Sequence, residues 1–215
     1  MGSHKLIVFL KAPRPGLVKT RLAATVGEKI ACEIYRELVK TVLDNVAVFP
    51  EVELRFAPDE SAAEIKPWLR PGWTMTPQGP GDLGQRLHAA FSDAFDRCHQ
   101  SVTAIGSDCP EFTASDIESA QAALESADVV LGPAADGGYW LIAMKKLQPA
   151  LFEGIAWSTP AVLTQTLDRA KGRGLKVSLL RTLADVDTEE DWRRFLAGHS
   201  CLSGVNPQPG PTPAP

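Results

Sequence analysis

The feature that most constrains the fold is a regular alternation of strand-like and helix-like segments along the chain. Residues 6–10 and 102–105 are short apolar runs with the length and composition of buried strands. Residues 28–46 and 83–98 instead carry apolar side chains every three or four positions, as a helix with one buried side does. This alternation predicts a mostly parallel sheet with right-handed crossovers and helices on both faces.

The remaining segments continue the same order. We predict further strands at 52–56, 73–76, 129–131, 139–144 and 175–180, and further helices at 61–69, 115–124, 160–170 and 189–196. Two helix starts carry sequence signals, because Thr159 precedes Pro160 and because Thr188 with Asp191 has the form of a capping box. We therefore expect a single α/β domain over residues 4–198, followed by a proline-rich, flexible tail at 203–215.

Composition excludes several kinds of protein. The 215 residues are 44% hydrophobic, and 22 basic against 26 acidic side chains give a net charge of -4. This is a globular composition that disfavours nucleic acid as a partner. No run approaches the roughly 20 apolar residues that cross a bilayer, and no signal-peptide core follows the start, so we expect neither membrane insertion nor export. The scattered cysteines, without a C-x-x-C pair, favour a reduced, cytoplasmic protein.

The loop after the first predicted strand is unusually basic. Four cations lie in the 11 positions from Lys11 to Arg21, at the carboxyl end of a strand, where open α/β sheets bind their ligands. The segment is not a Walker A motif, because Val18 and Pro13 stand where that motif requires glycine. We interpret it as a loop that holds the phosphates of a nucleotide, the alternative being a solvated basic surface.

A second loop, residues 78–86, is rich in glycine. Glycines such as Gly81 let the backbone approach a ligand closely, and Asp82 can accept a hydrogen bond from a hydroxyl or an amine. The equally weighted alternative is that Asp82 only caps the helix that begins at Leu83.

Carboxylates follow two further predicted elements. Asp108 lies at the tip of the strand 102–105, and a carboxylate there suits Mg²⁺, which takes one or two protein carboxylates together with phosphate oxygens. Asp185 and Asp187 alternate in an extended segment and share one side, so one of them could supply a second ligand. The alternatives are a turn-forming aspartate and favourable acids before a helix. Cys109 has no histidine assigned beside it, and we interpret it as structural.

The turn after residue 131 combines an aspartate, paired glycines and aromatic residues. Asp136, Gly137, Gly138 and Tyr139 have the pattern of a substrate-facing turn. An ordinary Asp-Gly hairpin with aromatic side chains in the core explains the same residues. On the first interpretation, these four residues contact the acceptor of a transfer reaction.

Taken together and in this order, the segments resemble a family of small bacterial transferases known as selenodomain-associated or glycosyltransferase-like. These belong to the glycosyltransferase-A, or nucleotide-diphospho-sugar transferase, superfamily, and are similar in motif order to 2-phospholactate guanylyltransferase and the molybdenum-cofactor nucleotidyltransferases. The resemblance implies a single-domain, Rossmann-like glycosyltransferase-A fold with a mixed, mostly parallel sheet. It extends over nearly the whole chain, through residues 11–22, 81–86, 106–110, 136–141 and 185–191.

By that resemblance, Lys19 and Arg21 hold the nucleotide phosphates and Asp108 with Asp187 binds Mg²⁺ or Mn²⁺. Lys19, Arg21 and Asp108 would be the catalytic residues. The strict Asp-x-Asp form of the superfamily is reduced here to one carboxylate, which favours a nucleotidyltransferase over a glycosyltransferase. The nucleotide-binding residues implied are Lys11, Pro13, Gly16, Lys19, Arg21, Gly81 and Asp82.

The leading hypothesis is a metal-dependent nucleotidyltransferase, in which a small anionic acceptor attacks the α-phosphate of a nucleoside triphosphate and releases pyrophosphate. Positioning and charge neutralisation would supply most of the rate. One alternative is a glycosyltransferase that uses a nucleotide-sugar donor on the same fold. A second is a catalytically silent module that only binds nucleotide.

Overall fold

A seven-stranded sheet forms the centre of the molecule, in the order β3-β2-β1-β4-β6-β5-β7. The computed structural model describes residues 3–203, with side chains described up to residue 198, so most of the predicted tail at 203–215 lies outside the described residues. Strand β6 is antiparallel to β4 and β5, and the other neighbouring pairs are parallel. The strands are β1 His4–Lys11, β2 Val52–Ala57, β3 Thr74–Pro77, β4 Ser101–Gly106, β5 Val129–Pro133, β6 Tyr139–Met144 and β7 Val177–Leu179.

Helices cover both faces of this sheet. They are α1 Thr20–Val26, α2 Glu28–Asn45, α3 Ala62–Ile65, α4 Leu83–Asp96, α5 Ala114–Ala123, α6 Val162–Gly172 and α7 Glu189–Ser203. Neighbouring residues of β1 point to opposite faces, so Val8 packs in one cluster with α2 and α5 while Ile7 packs in the other with α4 and α6. The predicted mixed, mostly parallel sheet between two helical layers is confirmed. None of the helices in residues 3–203 has the length and apolar character needed to cross a bilayer.

Several predicted helices differ from the structure in their bounds. The helix predicted at 61–69 is reduced to α3 and two flanking 3-10 turns, because Pro67 has no N–H with which to continue it. Helix α6 begins two residues after Pro160, and the Thr159 hydroxyl accepts a hydrogen bond from the Ala161 amide in the preceding turn. Helix α7 extends to Ser203, beyond the predicted end at residue 196.

Strand β2 is more deeply buried than its alternating sequence suggests. Its charged residues Glu53 and Arg55 face away from Leu54, yet only 1% and 3% of their side chains are exposed. They pair with each other at 2.5 Å, and Arg55 also contacts Asp93 of α4 at 2.6 Å. The face that the sequence marks as polar is therefore covered by α4 through ion pairs, since buried charges require partners.

Gly84 sets how closely α4 approaches the segment that leads to α6. A Cβ at Gly84 would lie 2.4 Å from both the carbonyl oxygen of Phe152 and Nε1 of Trp157. We predict that Gly84→Ala lowers the free energy of unfolding by about 1–3 kcal/mol, because overpacking displaces the backbone. Urea denaturation measures the loss. Gly172→Ala is the control, since a Cβ at the end of α6 meets nothing within 4 Å; equal stability of the two variants would contradict this account of Gly84.

Candidate functional site

Four loops that carry predicted site residues emerge at one edge of the sheet. Strands β1 and β4 are parallel neighbours, so the basic loop after β1 and the Asp108 loop after β4 leave the sheet side by side. Strand β5 points the same way because β6 is antiparallel to both β4 and β5. Strand β7 is parallel to β5, which brings the segment at 183–187 to the same edge. This is the edge at which α/β sheets bind ligands.

Lys19 joins three of these segments. Its ammonium nitrogen Nζ lies 2.5 Å from Oδ1 of Asp108 and 3.1 Å from Oδ1 of Asp187. Only 3% of the lysine side chain is exposed, against 53% for Asp108 and 32% for Asp187. The Lys19 backbone is left-handed, with φ 48° and ψ 50°, an uncommon conformation for a residue other than glycine and one that clusters at functional sites.

The electrostatics keep this ammonium charged. Burial lowers the pKa of Lys19, but the charges and hydrogen bonds of Asp108 and Asp187 outweigh burial, and the pKa lies above its usual value. Arg21 lies at the exposed rim, with Nη1 3.3 Å from Oδ2 of Asp187. The structure thus brings together four predicted site residues that come from three different segments of the chain.

Asp185 has a different partner from Asp187. The Cys109 thiol donates a hydrogen bond to Oδ1 of Asp185 at 2.6 Å, and the Val186 amide donates to the Asp108 carbonyl at 2.9 Å. Burial raises the pKa of Asp185 to about 6, with the Cys109 hydrogen bond acting against it and the charges of Asp136, Asp108 and Asp187 adding to it. Burial also holds the pKa of the Cys109 thiol far above its usual value, so Cys109 is a neutral donor, in agreement with its structural interpretation.

The turn at 134–138 lies against the segment that carries Asp185. The Ala135 amide donates to the Leu183 carbonyl at 2.9 Å, and Oδ1 of Asp136 accepts from the Gly138 amide at 2.8 Å. Gly137 has φ 91°, and a Cβ there would lie 2.3 Å from the Pro160 carbonyl oxygen. Glycine is therefore required at this position both by the backbone conformation and by the close approach.

Tyr139 does not fit the acceptor-binding role that the sequence predicted for it. Its hydroxyl is buried, and its ring packs edge-on against Trp157 with 6.3 Å between centroids. The alternative interpretation, an aromatic residue of the core, describes its position better. Tyr139 packs against the cluster that includes Leu87 of α4 and Ala170 of α6.

Within the basic loop, Arg14 is committed to other contacts. Its guanidinium binds Glu64 at 2.6 Å and Glu60 at 3.0 Å. The Tyr35 hydroxyl accepts from the Lys11 amide at 2.7 Å and donates to the Lys11 carbonyl at 3.1 Å. Arg14, one of the four cations of the loop, therefore fixes the loop itself. Lys19 and Arg21 instead contact the aspartates of the site, Asp108 and Asp187. Sequence reasoning missed the anchoring by Tyr35, which only the fold reveals.

Asp82 caps α4, as one of its two interpretations proposed. Its Oδ1 accepts from the Gln85 amide at 2.8 Å, and the Gln85 side chain accepts from the Asp82 amide at 2.9 Å, which completes a capping box. Asp82 also lines a cavity of about 400 Å³ together with His88 and Glu153. Gly81 has φ 95° in the preceding turn. Capping and ligand contact are compatible, because the second carboxylate oxygen of Asp82 takes no part in the cap.

The donor set at Lys19 suits a metal ion that is shared with a phosphate. Among the described residues, no group of three or more Asp, Glu, His or Cys side chains could hold a metal by itself. Asp108 and Asp187 nevertheless converge on one point, which a cation, the Lys19 ammonium, takes in this structure. Two carboxylates completed by phosphate oxygens and water are what Mg²⁺ commonly accepts.

The α/β fold is one that structures named as nucleotide-diphospho-sugar transferases and cytidylyltransferases share. A protein of Desulfovibrio desulfuricans G20, provisionally assigned as a nucleotide-diphospho-sugar transferase, is 32% identical, with a TM-score of 0.87 over 95% of this chain and 90% of the other. The chain belongs to the family described as "Uncharacterized protein conserved in bacteria (DUF2064)", whose model matches residues 42–159. No curated protein matches the sequence.

More distant structures share the fold alone. The 4-diphosphocytidyl-2C-methyl-D-erythritol synthase of Anaerococcus prevotii DSM 20548 has a TM-score of 0.61 at 16% identity, over 92% of this chain and 96% of the other. The inositol-1-phosphate CTP transferase of T. maritima has a TM-score of 0.54 at 13% identity, over 95% and 99%. The predicted superfamily is confirmed; the closer relation to selenodomain-associated transferases and 2-phospholactate guanylyltransferase stays a prediction.

Asp185 generates a prediction for the dependence of stability on pH. Its pKa is raised from about 3.8 to about 6 in the folded protein, so the stability it contributes is full below pH 4 and is lost as the pH rises through 6. Asp185→Asn removes this titration but keeps an acceptor for Cys109. Between pH 4 and pH 7 the variant should gain up to about 3 kcal/mol relative to the unaltered protein.

Urea denaturation of both proteins at several pH values, with a chelator present, measures this difference. Asp168→Asn is the control, because Asp168 is an exposed residue of α6. A constant difference between the Asp185 variant and the unaltered protein from pH 4 to pH 7 would show that Asp185 titrates normally.

Proposed function

We propose that the protein is a metal-dependent transferase that uses a nucleotide, and specifically a nucleotidyltransferase. A small anionic acceptor would attack the α-phosphate of a nucleoside triphosphate, forming the new P–O bond while the bond to the pyrophosphate leaving group breaks. The observation that carries this proposal is the convergence of Lys19, Asp108 and Asp187 at the ligand-binding edge of this fold. Cations for phosphate and carboxylates for a metal are the groups that phosphoryl-type transfer needs.

The phosphates would be held by the basic loop. Lys19 and Arg21 supply charge, and Lys11 at the end of β1 adds an exposed cation. Pro13 and Gly16 shape the loop, with Gly16 at φ 78°, and Arg14 fixes it to Glu60 and Glu64. Because Glu60, Glu64 and Tyr35 already anchor the loop, binding of the nucleotide would cost little conformational entropy of the loop.

The metal would be held by Asp108 and Asp187. When bound, Mg²⁺ or Mn²⁺ would neutralise the charge that develops on the reacting phosphate oxygens. Asp185 would keep Asp187 in place, because its hydrogen bond to Cys109 and the adjacent Val186–Asp108 bond fix the segment between them. The nucleoside would lie toward Gly81 and Asp82, and the acceptor toward Asp136, Gly137 and Gly138.

The named relatives support a nucleotide substrate. Two fold neighbours are named for cytidylyl chemistry, and a third, the CMP-2-keto-3-deoxy-manno-octonic acid synthetase, was solved with CTP.

The free thiols of Cys32, Cys98 and Cys109 agree with the proposed cytoplasmic location. An anionic acceptor is already deprotonated and requires no general base.

A glycosyltransferase is the second candidate, and the Desulfovibrio relative favours it. That protein is 32% identical and carries the provisional name of a nucleotide-diphospho-sugar transferase. The two reactions release different products: pyrophosphate comes from a nucleoside triphosphate, and a nucleoside diphosphate comes from a nucleotide sugar. A third candidate, a silent binding module, would shift in melting temperature with nucleotide and release neither product.

We expect Asp108→Asn to lower the rate of pyrophosphate release at least about 100-fold, because it removes a charged metal ligand next to the reacting phosphates. A thermal-shift panel of nucleoside triphosphates and nucleotide sugars, with and without Mg²⁺ or Mn²⁺, first selects the substrate. Product release is then measured for the unaltered protein, for Asp108→Asn and for Asp168→Asn, whose exposed residue on α6 provides a matched change of charge. Full activity of the Asp108 variant, or a panel without any shift, would refute the proposal.

A further inference from the structure

We propose that Lys19 is an internal counter-ion that keeps free divalent cations from the Asp108–Asp187 pair until a phosphate draws its ammonium away. Metal would then enter this site together with the phosphate rather than ahead of it. The inference rests on the proposed function for the identity of the phosphate, and it adds an order of binding that follows from the position of one side chain.

The first argument is geometric. Nζ of Lys19 lies 2.5 Å from Asp108 and 3.1 Å from Asp187, so the ammonium lies between the two carboxylates that would hold the metal. The lysine side chain is 3% exposed and lies deeper than either carboxylate, which are 53% and 32% exposed. A cation that arrives from solvent therefore meets carboxylates whose inner oxygens already have a partner.

The second argument is the balance of charge. Among the ion-paired residues, the positive charges of Lys19 and Arg21 match the negative charges of Asp108 and Asp187, while Asp136 and Asp185 have neutral donors. A divalent ion that entered alone would place its charge beside the Lys19 ammonium, and like charges this close together in a partly buried place repel each other. A polyphosphate that accompanies the ion restores the balance and offers the ammonium a new partner.

The third argument is that the Lys19 ammonium would find a new partner, the phosphate, at the same edge of the sheet. The basic loop places Lys19 directly before α1, beside Arg21, at the edge where the phosphates would lie. Moving Nζ from carboxylate to phosphate keeps it paired throughout, so no unpaired buried charge arises. The same residue would thus exclude the metal in the free protein and bind the phosphate in the complex.

The test is the affinity of the full chain, stripped of metal, for Mn²⁺ alone, measured from the EPR signal of free Mn²⁺. We expect Lys19→Met to bind Mn²⁺ about tenfold more tightly than the unaltered protein, since the competing charge is gone. Arg21→Met is the matched control: it also removes a cation that contacts Asp187, but one that is 75% exposed, so its effect should stay below about threefold. The same Lys19 variant should bind tripolyphosphate more weakly.

Two results would overturn the inference: a Lys19 variant that binds Mn²⁺ no better than the unaltered protein, or an Arg21 variant with an equal gain. Because this comparison uses Mn²⁺ alone, it stands even if no nucleotide binds, an outcome that would count against the proposed function instead. Circular dichroism and thermal unfolding check the fold of each variant.

A measurement on the unaltered protein covers the case in which the Lys19 variant does not fold. In ¹⁵N NMR of the lysine ammonium groups, Mg²⁺ alone should leave the Lys19 signal in place, and Mg²⁺ with tripolyphosphate should shift it. A shift produced by Mg²⁺ alone at the same concentration would contradict the proposed order of binding.

Discussion

The candidate site lies at the edge of the sheet where β1, β4, β5 and β7 end, which we call the site edge. Its structure depends on the pairing of one buried ammonium with two carboxylates. Lys19 and Asp187 are 168 residues apart in sequence, yet their hydrogen bond ties the loop after β1 to the segment before α7. A charge that is 3% exposed is costly to bury without partners, so the fold must supply both aspartates wherever it supplies the lysine. The three segments are therefore energetically linked, and none of them can be placed independently of the other two.

The mixed topology of the sheet is what allows this pairing. If β6 ran parallel to β5, it would start at the opposite edge, and the short turn at 134–138 could not reach it. Because β6 is antiparallel, it begins at the edge where β4 and β5 end, and β7 follows β5 in the same direction. One reversed strand thus brings the Asp136 turn and the Asp185–Asp187 segment to Asp108.

Local patterns in the sequence predicted most of the fold and part of the site. Period-two and helical spacing located the strands and helices, and the rule that ligands bind at carboxyl ends pointed to the basic loop and to Asp108. The family resemblance then selected Lys19 within the loop and Asp187 rather than Asp185. The capping role of Asp82 was visible too, since its partner Gln85 is three residues away. Local patterns do not show contacts between distant segments. The structure was therefore needed to reveal the ion pair of Arg14 with Glu64, 50 residues further on, and the hydrogen bond between Cys109 and Asp185.

The acidic residues of the site edge divide into two kinds by the charge of their donors. Asp108 and Asp187 pair with cations, whereas Asp136 accepts from the Gly138 amide and Asp185 from the Cys109 thiol, both neutral donors. A neutral donor holds its carboxylate in place without neutralising it. Ion pairs, by contrast, can exchange one charged partner for another at small net cost. Asp108 and Asp187 are thus suited to exchanging Lys19 for a metal ion. Asp136 and Asp185 are suited to keeping the surrounding loops fixed while that exchange takes place.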